Sequence, residues 1–184
     1  DVDNFKIYGN QRYQYCFIGD EFPGAVDWDI THINVANIDI EVGSENGFPE
    51  PEKADEQITS ITIKQKGKFV TWGCGIYQPH RKDITYHRCY DELDLIRRFL
   101  TWWEQNTPDI ITGWNVEKFD IVYLVNRITK LLGEKEVKRL SPWGVINARS
   151  IEIGFNKRMT VYAFLGIATL DMLDLYKKLS LIHI

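Results

Sequence analysis

The chain has 184 residues, 44% hydrophobic and 13% aromatic, enough to bury the core of one ordinary domain and too apolar for a disordered chain. Charged residues make up 26%, and no apolar run approaches the roughly 20 residues a membrane span needs, so no membrane partner is expected. The net charge of -4 argues against a generic nucleic-acid binder, yet it averages residues 1–60, with 13 acids against three bases, and residues 61–184, with 13 acids against 19 bases.

Asp1 to Asn10 lacks the basic-then-apolar order of a signal peptide. Cys16, Cys74 and Cys89 have no C-x-x-C spacing, so neither a disulfide framework nor a zinc site is suggested, and a reducing cytoplasm fits best. Ile33 to Val42 reads as a strand with Ile38, Ile40 and Val42 on one face and Asn37, Asp39 and Glu41 on the other. Gly43 to Asp55 reads as a surface loop. Gln57 to Gln65 and Lys68 to Cys74 read as paired strands turned at Gly67, and Thr85 to Cys89 as a further short strand.

A helix is predicted from about Asp91 to Gln105, with Leu93, Ile96, Leu100 and Trp103 at helical spacing. Asp109 to Thr112 reads as a buried parallel strand closed by Gly113. The next helix is predicted from about Glu117 to Leu132, with Asp120 in its first turn and Gly133 at its end. Glu134 to Leu140 suggests one more short helix. Val145 to Ile153 and Met159 to Phe164 suggest a hairpin around Gly154 to Arg158, and Thr169 to Leu179 a short strand running into a helix. This order gives an α/β fold with a mixed sheet.

Asp39 and Glu41 lie two apart on a strand, so their carboxylates share a face and either hold a divalent cation such as Mg²⁺ or Mn²⁺ or form a solvated acidic face. The segment Ile111 to Asp120, ITGWNVEKFD, runs from a strand end into a helix, where the binding crevice of an open α/β sheet lies. Asn115 and Asp120 would face it. Asp120 alone also fits a first-turn acid that offsets the helix dipole. Arg127 to Arg158 adds eight bases against three acids, either ordinary surface charge or a phosphate-binding stretch.

Together, Asp39-Ile40-Glu41 on a strand and Thr112-Gly113-Trp114-Asn115 followed by Phe119-Asp120 resemble the first two exonuclease motifs of family-B DNA polymerases. Gly47-Phe48-Pro49-Glu50-Pro51, Lys138-Arg139-Leu140-Ser141-Pro142 and the run Leu170 to Lys178 look like the polymerases of T-even-like phages. The resemblance covers about Ile33 to Ser180. Residues 1–32 resemble, more weakly, the connection from that family's N-terminal domain, which leaves 33–184 as an incomplete exonuclease domain.

The resemblance implies a ribonuclease-H-like mixed sheet flanked by helices, with a protruding β-hairpin. It also implies a 3′-to-5′ proofreading exonuclease that acts on a single-stranded or frayed DNA 3′ end beside the polymerase domains of the same parent chain, in the cytoplasm of a host cell. Asp39, Glu41 and Asp120 would hold the two divalent cations of the complete domain. The family's fourth acid comes from a third motif, Tyr-x-x-x-Asp, and the only such spelling here, Tyr90 to Asp94, precedes the second motif and is taken as chance. With Asp171 and Asp174 assigned to an ordinary structural segment, one cation or none, and weak activity or none, are expected of this chain.

Asn115 matches the motif asparagine near the substrate, and Phe119 and Trp114 would stack on the bases of a frayed 3′ end or pack in the core, with the core the favoured place for Trp114. The hairpin around Asn156, Lys157 and Arg158 looks like the one that helps part primer from template, or is simply an exposed basic turn. His32, His80, His87 and His183 show no ligand spacing and read as surface or packed side chains. The alternatives are a single-stranded DNA-binding module without catalysis and a free-standing nuclease of the same superfamily.

Overall fold

The computed structural model describes residues 13–24, 27, 29–45, 47–154 and 157–182. Two units divide the chain, Asp1–His32 and Ile33–Ile184. In the first, α1 (Tyr13–Glu21) is a helix that the sequence reading does not assign, because its apolar residues follow no clear helical stripe. Asn156 and His183 lie outside the described residues.

The second unit is built on six strands. β1 (Val35–Val42), β2 (Ile58–Gln65) and β3 (Lys68–Gly73) form an antiparallel meander, and β4 (Ile84–Arg88) joins β3 in parallel. On the other side of β1, β5 (Ile110–Gly113) and β8 (Ala168–Asp171) add in parallel, giving the order β4-β3-β2-β1-β5-β8. Strict alternation along β1 buries Ala36, Ile38 and Ile40 while Asn37, Asp39 and Glu41 stay exposed. The registers carry this alternation across the sheet, so Ile38, Ile40, Ile61, Ile63 and Trp72 form one apolar face.

Helices α2 (Glu92–Gln105) and α3 (Asp120–Leu132) cover that apolar face. α2 buries Leu95, Ile96, Phe99, Leu100 and Trp103, and α3 buries Ile121, Leu124, Val125 and Ile128. Asp91 caps α2 by accepting the Asp94 N–H, and the Asp94 carboxylate accepts the Tyr90 N–H and pairs with Arg98. Tyr90 itself is 92% exposed, so the Tyr90 to Asp94 spelling is a helix start.

The helix after β5 begins at Asp120, three residues later than predicted, because residues 114–118 form a turn. α4 (Glu134–Val137) and a 3₁₀ turn at Lys138–Leu140 follow. β6 (Ile146–Glu152) and β7 (Arg158–Phe164) form a separate antiparallel hairpin, and β8 runs directly into α5 (Met172–Ile182). The hairpin does not stand wholly clear of the domain, since Met159 and Val161 of β7 cluster with Val122 of α3.

Candidate active site

β1 is longer than its parallel neighbour. β5 pairs only with Val35 to Asn37, which leaves the following residues of β1 without a strand on that side. Asp120, the first residue of α3, fills part of the gap: its Oδ1 accepts the Ile40 N–H at 3.0 Å. A carboxylate therefore closes an open ladder position between Asp39 and Glu41, whose side chains project from the sheet's outer face.

Burial dominates the chemistry of Asp120. The residue is 5% exposed, and its pKa is pushed up to about 7, first by desolvation and then by the charges of Asp39 and Asp171, against the lowering effect of the Ile40 hydrogen bond. An acid held this way is relieved by a nearby cation. The donors are all hard carboxylate oxygens, so the residues fit Mg²⁺ or Mn²⁺ in kind. Among the described residues, however, no three His, Cys, Asp or Glu side chains gather closely enough to hold an ion. The structure brings Asp39 and Asp120 into electrostatic contact, with Glu41 two residues along the same face.

The turn that delivers Asp120 is shaped by its sequence. A Cβ on Gly113 would lie 2.8 Å from the Ile38 carbonyl oxygen, so only glycine lets β5 end this close to β1. Asn115 then takes a left-handed φ of 59°, which asparagine tolerates better than most residues. Asp171, buried at the end of β8, fixes the turn by accepting the Asn115 N–H at 3.1 Å and the Glu117 N–H at 3.0 Å, while also accepting the Leu173 N–H. Asp174 pairs with Lys118.

Trp114 is 62% exposed, against the expectation of a core role: the turn points it outward, where its ring meets Tyr176 at 5.8 Å. Phe119 is half-buried against the core, and its ring lies 5.7 Å from that of Phe48, which is 84% exposed. Sequence reasoning quoted Phe48 without giving it a role. The signal available was a Phe flanked by Gly and Pro in a polar loop, where no core can account for it.

α3 also anchors the loop that carries Phe48. The Tyr123 hydroxyl donates to the Glu56 carbonyl at 2.6 Å, Asn126 Nδ2 to the Pro51 carbonyl at 3.0 Å, and Arg127 Nη1 to the carbonyls of Ala54 and Asp55. Arg127 also forms a two-pronged ion pair with Glu92 of α2, whose Oε1 accepts the Ile58 N–H. The hairpin joins the same network: the Tyr162 hydroxyl donates to Asn126 Oδ1 at 2.8 Å, and Glu52 accepts the Thr160 N–H. Lys157 and Arg158 are exposed at the hairpin's end, Arg158 lying 3.8 Å from Glu152.

Residues 22–183 match the family model for the exonuclease domain of DNA polymerase family B. The chain belongs to this family. It is 35% identical to a DNA-directed DNA polymerase of Escherichia phage RB69 and 30% identical to that of Enterobacteria phage T4, in both cases over 95% of this chain and 22% of the relative. A DNA polymerase catalytic subunit of Equine herpesvirus 2 is 29% identical over 90% of this chain and 18% of its own length. The chain thus spans about a fifth of the length of these relatives. The mixed six-stranded sheet with helices and a separate hairpin agrees with the ribonuclease-H-like fold implied by the motifs.

Proposed function

We propose that this domain removes nucleotides from the 3′ end of a single-stranded or frayed DNA, as the proofreading module of a phage-type family-B polymerase working in the host cytoplasm. The observation that carries the reading is the buried Asp120 carboxylate docked on the Ile40 N–H, with Asp39 and Glu41 on either side of that residue. Asp39, Glu41 and Asp120 are the residues that would hold divalent cations, which supply an activated water and stabilise charge on the phosphate. Two cations would need a further acid, and no Tyr-x-x-x-Asp follows Asp120 within these 184 residues. Asp171 is a poor candidate, because both of its oxygens already accept backbone N–H groups.

In this reading Phe48 and Phe119 receive the terminal bases, and the Asn115 side chain lies in the turn beside the substrate. Base-aromatic stacking suits such a task because it is sequence-tolerant. Lys157 and Arg158, on the hairpin, contact phosphates and help separate the strands. Residues 1–32 serve as the connection from a preceding domain.

The test follows release of a 3′-terminal nucleotide from a single strand with Mn²⁺, for the chain and for Asp39→Ala and Asp120→Asn. Metal-dependent release that both substitutions abolish is the expected result. Salt-sensitive binding with no release under any metal would instead favour a DNA-binding module without catalysis.

A further inference from the structure

Away from the carboxylates, the outer face of the sheet carries a second, differently built site. The registers of β1 to β4 set Asp39, Thr62, Thr71 and Tyr86 in one row and Asn37, Lys64, Phe69 and Ile84 in the next, all on the face opposite α2 and α3. The loop after β3 folds back over this face. The Tyr86 hydroxyl donates to the Gly75 carbonyl at 2.7 Å, and the Tyr77 ring meets the Tyr86 ring edge-on at 5.3 Å. Gly73 makes room, since a Cβ there would lie 2.7 Å from the Tyr86 hydroxyl. Arg81 sits over the Phe69 ring at 5.3 Å, and Lys64 lies 5.2 Å from the same ring.

These residues line an open surface pocket of about 330 Å³ walled by Phe69, Tyr77, Ile84 and Tyr86, with Thr71 and Arg81 supplying polar atoms. The stretch of chain that builds it is basic: residues 57–90 hold six bases, Lys64, Lys66, Lys68, Arg81, Lys82 and Arg88, against one acid, Asp83, which pairs with Arg81 and also lies near Lys64, while Asp39 stands on the same face two strands away. Aromatic walls of base size on a stretch of chain with an excess of bases are the chemistry that recognises a polynucleotide with unpaired bases.

We propose that this pocket takes one base of a single-stranded DNA, with the aromatic walls stacking on the base and Lys64 and Lys66 attracting the neighbouring phosphates. An acidic peptide would answer the charge but leave the aromatic slot without a flat partner. The site stands two strands away from Asp39 and needs no metal, so it does not depend on the nuclease reading.

The experiment measures fluorescence anisotropy of a labelled twelve-residue oligothymidylate, and of an abasic strand of the same length, with the chain in EDTA. Wild type should bind the thymidylate about 5- to 10-fold more tightly than the abasic strand. Tyr77→Ala should lose that gap, Tyr77→Phe should keep it, and Lys64→Glu with Lys66→Glu should weaken both strands and flatten the salt dependence. The proposal is overturned if Tyr77→Ala keeps the gap, if Phe119→Ala removes it instead, or if polyglutamate displaces the DNA at equal charge. Should Tyr77→Ala unfold the chain, the abasic comparison in wild type and the double charge reversal decide, either one failing to show its effect overturning the proposal. Nucleotide release with Mn²⁺ is scored separately, so failure of the nuclease reading is not confused with failure of this one.

Discussion

At Asp120 the folded chain holds a carboxyl with its pKa pushed up to about 7, well above the usual aspartate range. A raised folded pKa means that the native state binds the proton more tightly than the unfolded state. The resulting stability is fully present below the unfolded pKa and is lost as pH rises through about 7. The loss is on the order of 2–4 kcal/mol, and Asp120→Asn should not show it. Asp55, Asp83 and Asp94 have lowered pKa values through their hydrogen bonds to Lys130, Arg81 and Arg98, and they contribute the opposite slope. They do so in both proteins, so the difference between wild type and variant isolates Asp120. Urea unfolding at pH 4 and pH 8 reads that difference, and Mn²⁺ should restore part of the wild-type loss at pH 8. A difference that does not change with pH would remove the burial argument. Asp171 makes a second case at this scale. Asp171→Ala leaves the N–H groups of Asn115 and Glu117 without their acceptor and should cost about 2–4 kcal/mol, with faster amide exchange at those two positions.

Among the elements, α3 is the one that ties the candidate site to the loop and to the hairpin. Its first residue, Asp120, docks on β1 with Phe119 just before it, while Tyr123, Asn126 and Arg127 tie down the loop bearing Phe48, and Asn126 also receives the hairpin through Tyr162. The helix itself was legible from its apolar spacing and from Gly133. These ties were not, because each joins groups at least 36 positions apart in the chain and leaves no periodic trace. The hairpin was legible from its strands, but its seat on α3 depends on Met159 and Val161 meeting Val122, which local patterning does not encode. Trp114 misled for a related reason: tryptophan is usually largely buried, and only the turn set by Asp171 turns it outward. Two substitutions separate the roles of this helix. Arg127→Ala leaves Glu92 buried without its cation and should destabilise the chain by about 3–5 kcal/mol in urea. Asn126→Ala should cost only about 1–2 kcal/mol. It uncouples the loop from the hairpin, so within the nuclease reading it should slow removal of a mismatched duplex end more than removal from a single strand. Equal slowing of the two would mean that the Asn126 bridge serves stability alone.

For the molecule as a whole, the sheet order follows from patterns that the sequence displays: alternation in β1 and β2, the glycine turn into β3, and a short β-branched β5 beside a long amphipathic helix. The motif pair also pointed to Asp39 and Asp120, which the fold brings into electrostatic contact. That β1 is longer than β5 was legible too; what the sequence could not show is their register, and the Ile40 N–H is available to Asp120 only because β5 pairs no further along β1 than Asn37. Charge is divided along the chain, with Asp39, Glu41 and the acids of the following loop, Glu45, Glu50, Glu52, Asp55 and Glu56, near one another in sequence and the bases concentrated after residue 60. A DNA phosphate approaching Asp39 without a cation meets like charge, whereas a bound divalent ion reverses the local sign. Affinity for a single strand should therefore have two components, a salt-sensitive part that persists in EDTA and a part gained on adding Ca²⁺, a hard cation that suits the same oxygen donors. Asp39→Ala with Glu41→Ala should abolish the Ca²⁺ gain while leaving the EDTA affinity unchanged or slightly stronger, since two repelling charges are gone. Titration of a labelled strand in the two buffers measures both components. A Ca²⁺ gain that survives the double substitution would place the cation elsewhere on the chain and detach Asp39 and Glu41 from metal binding.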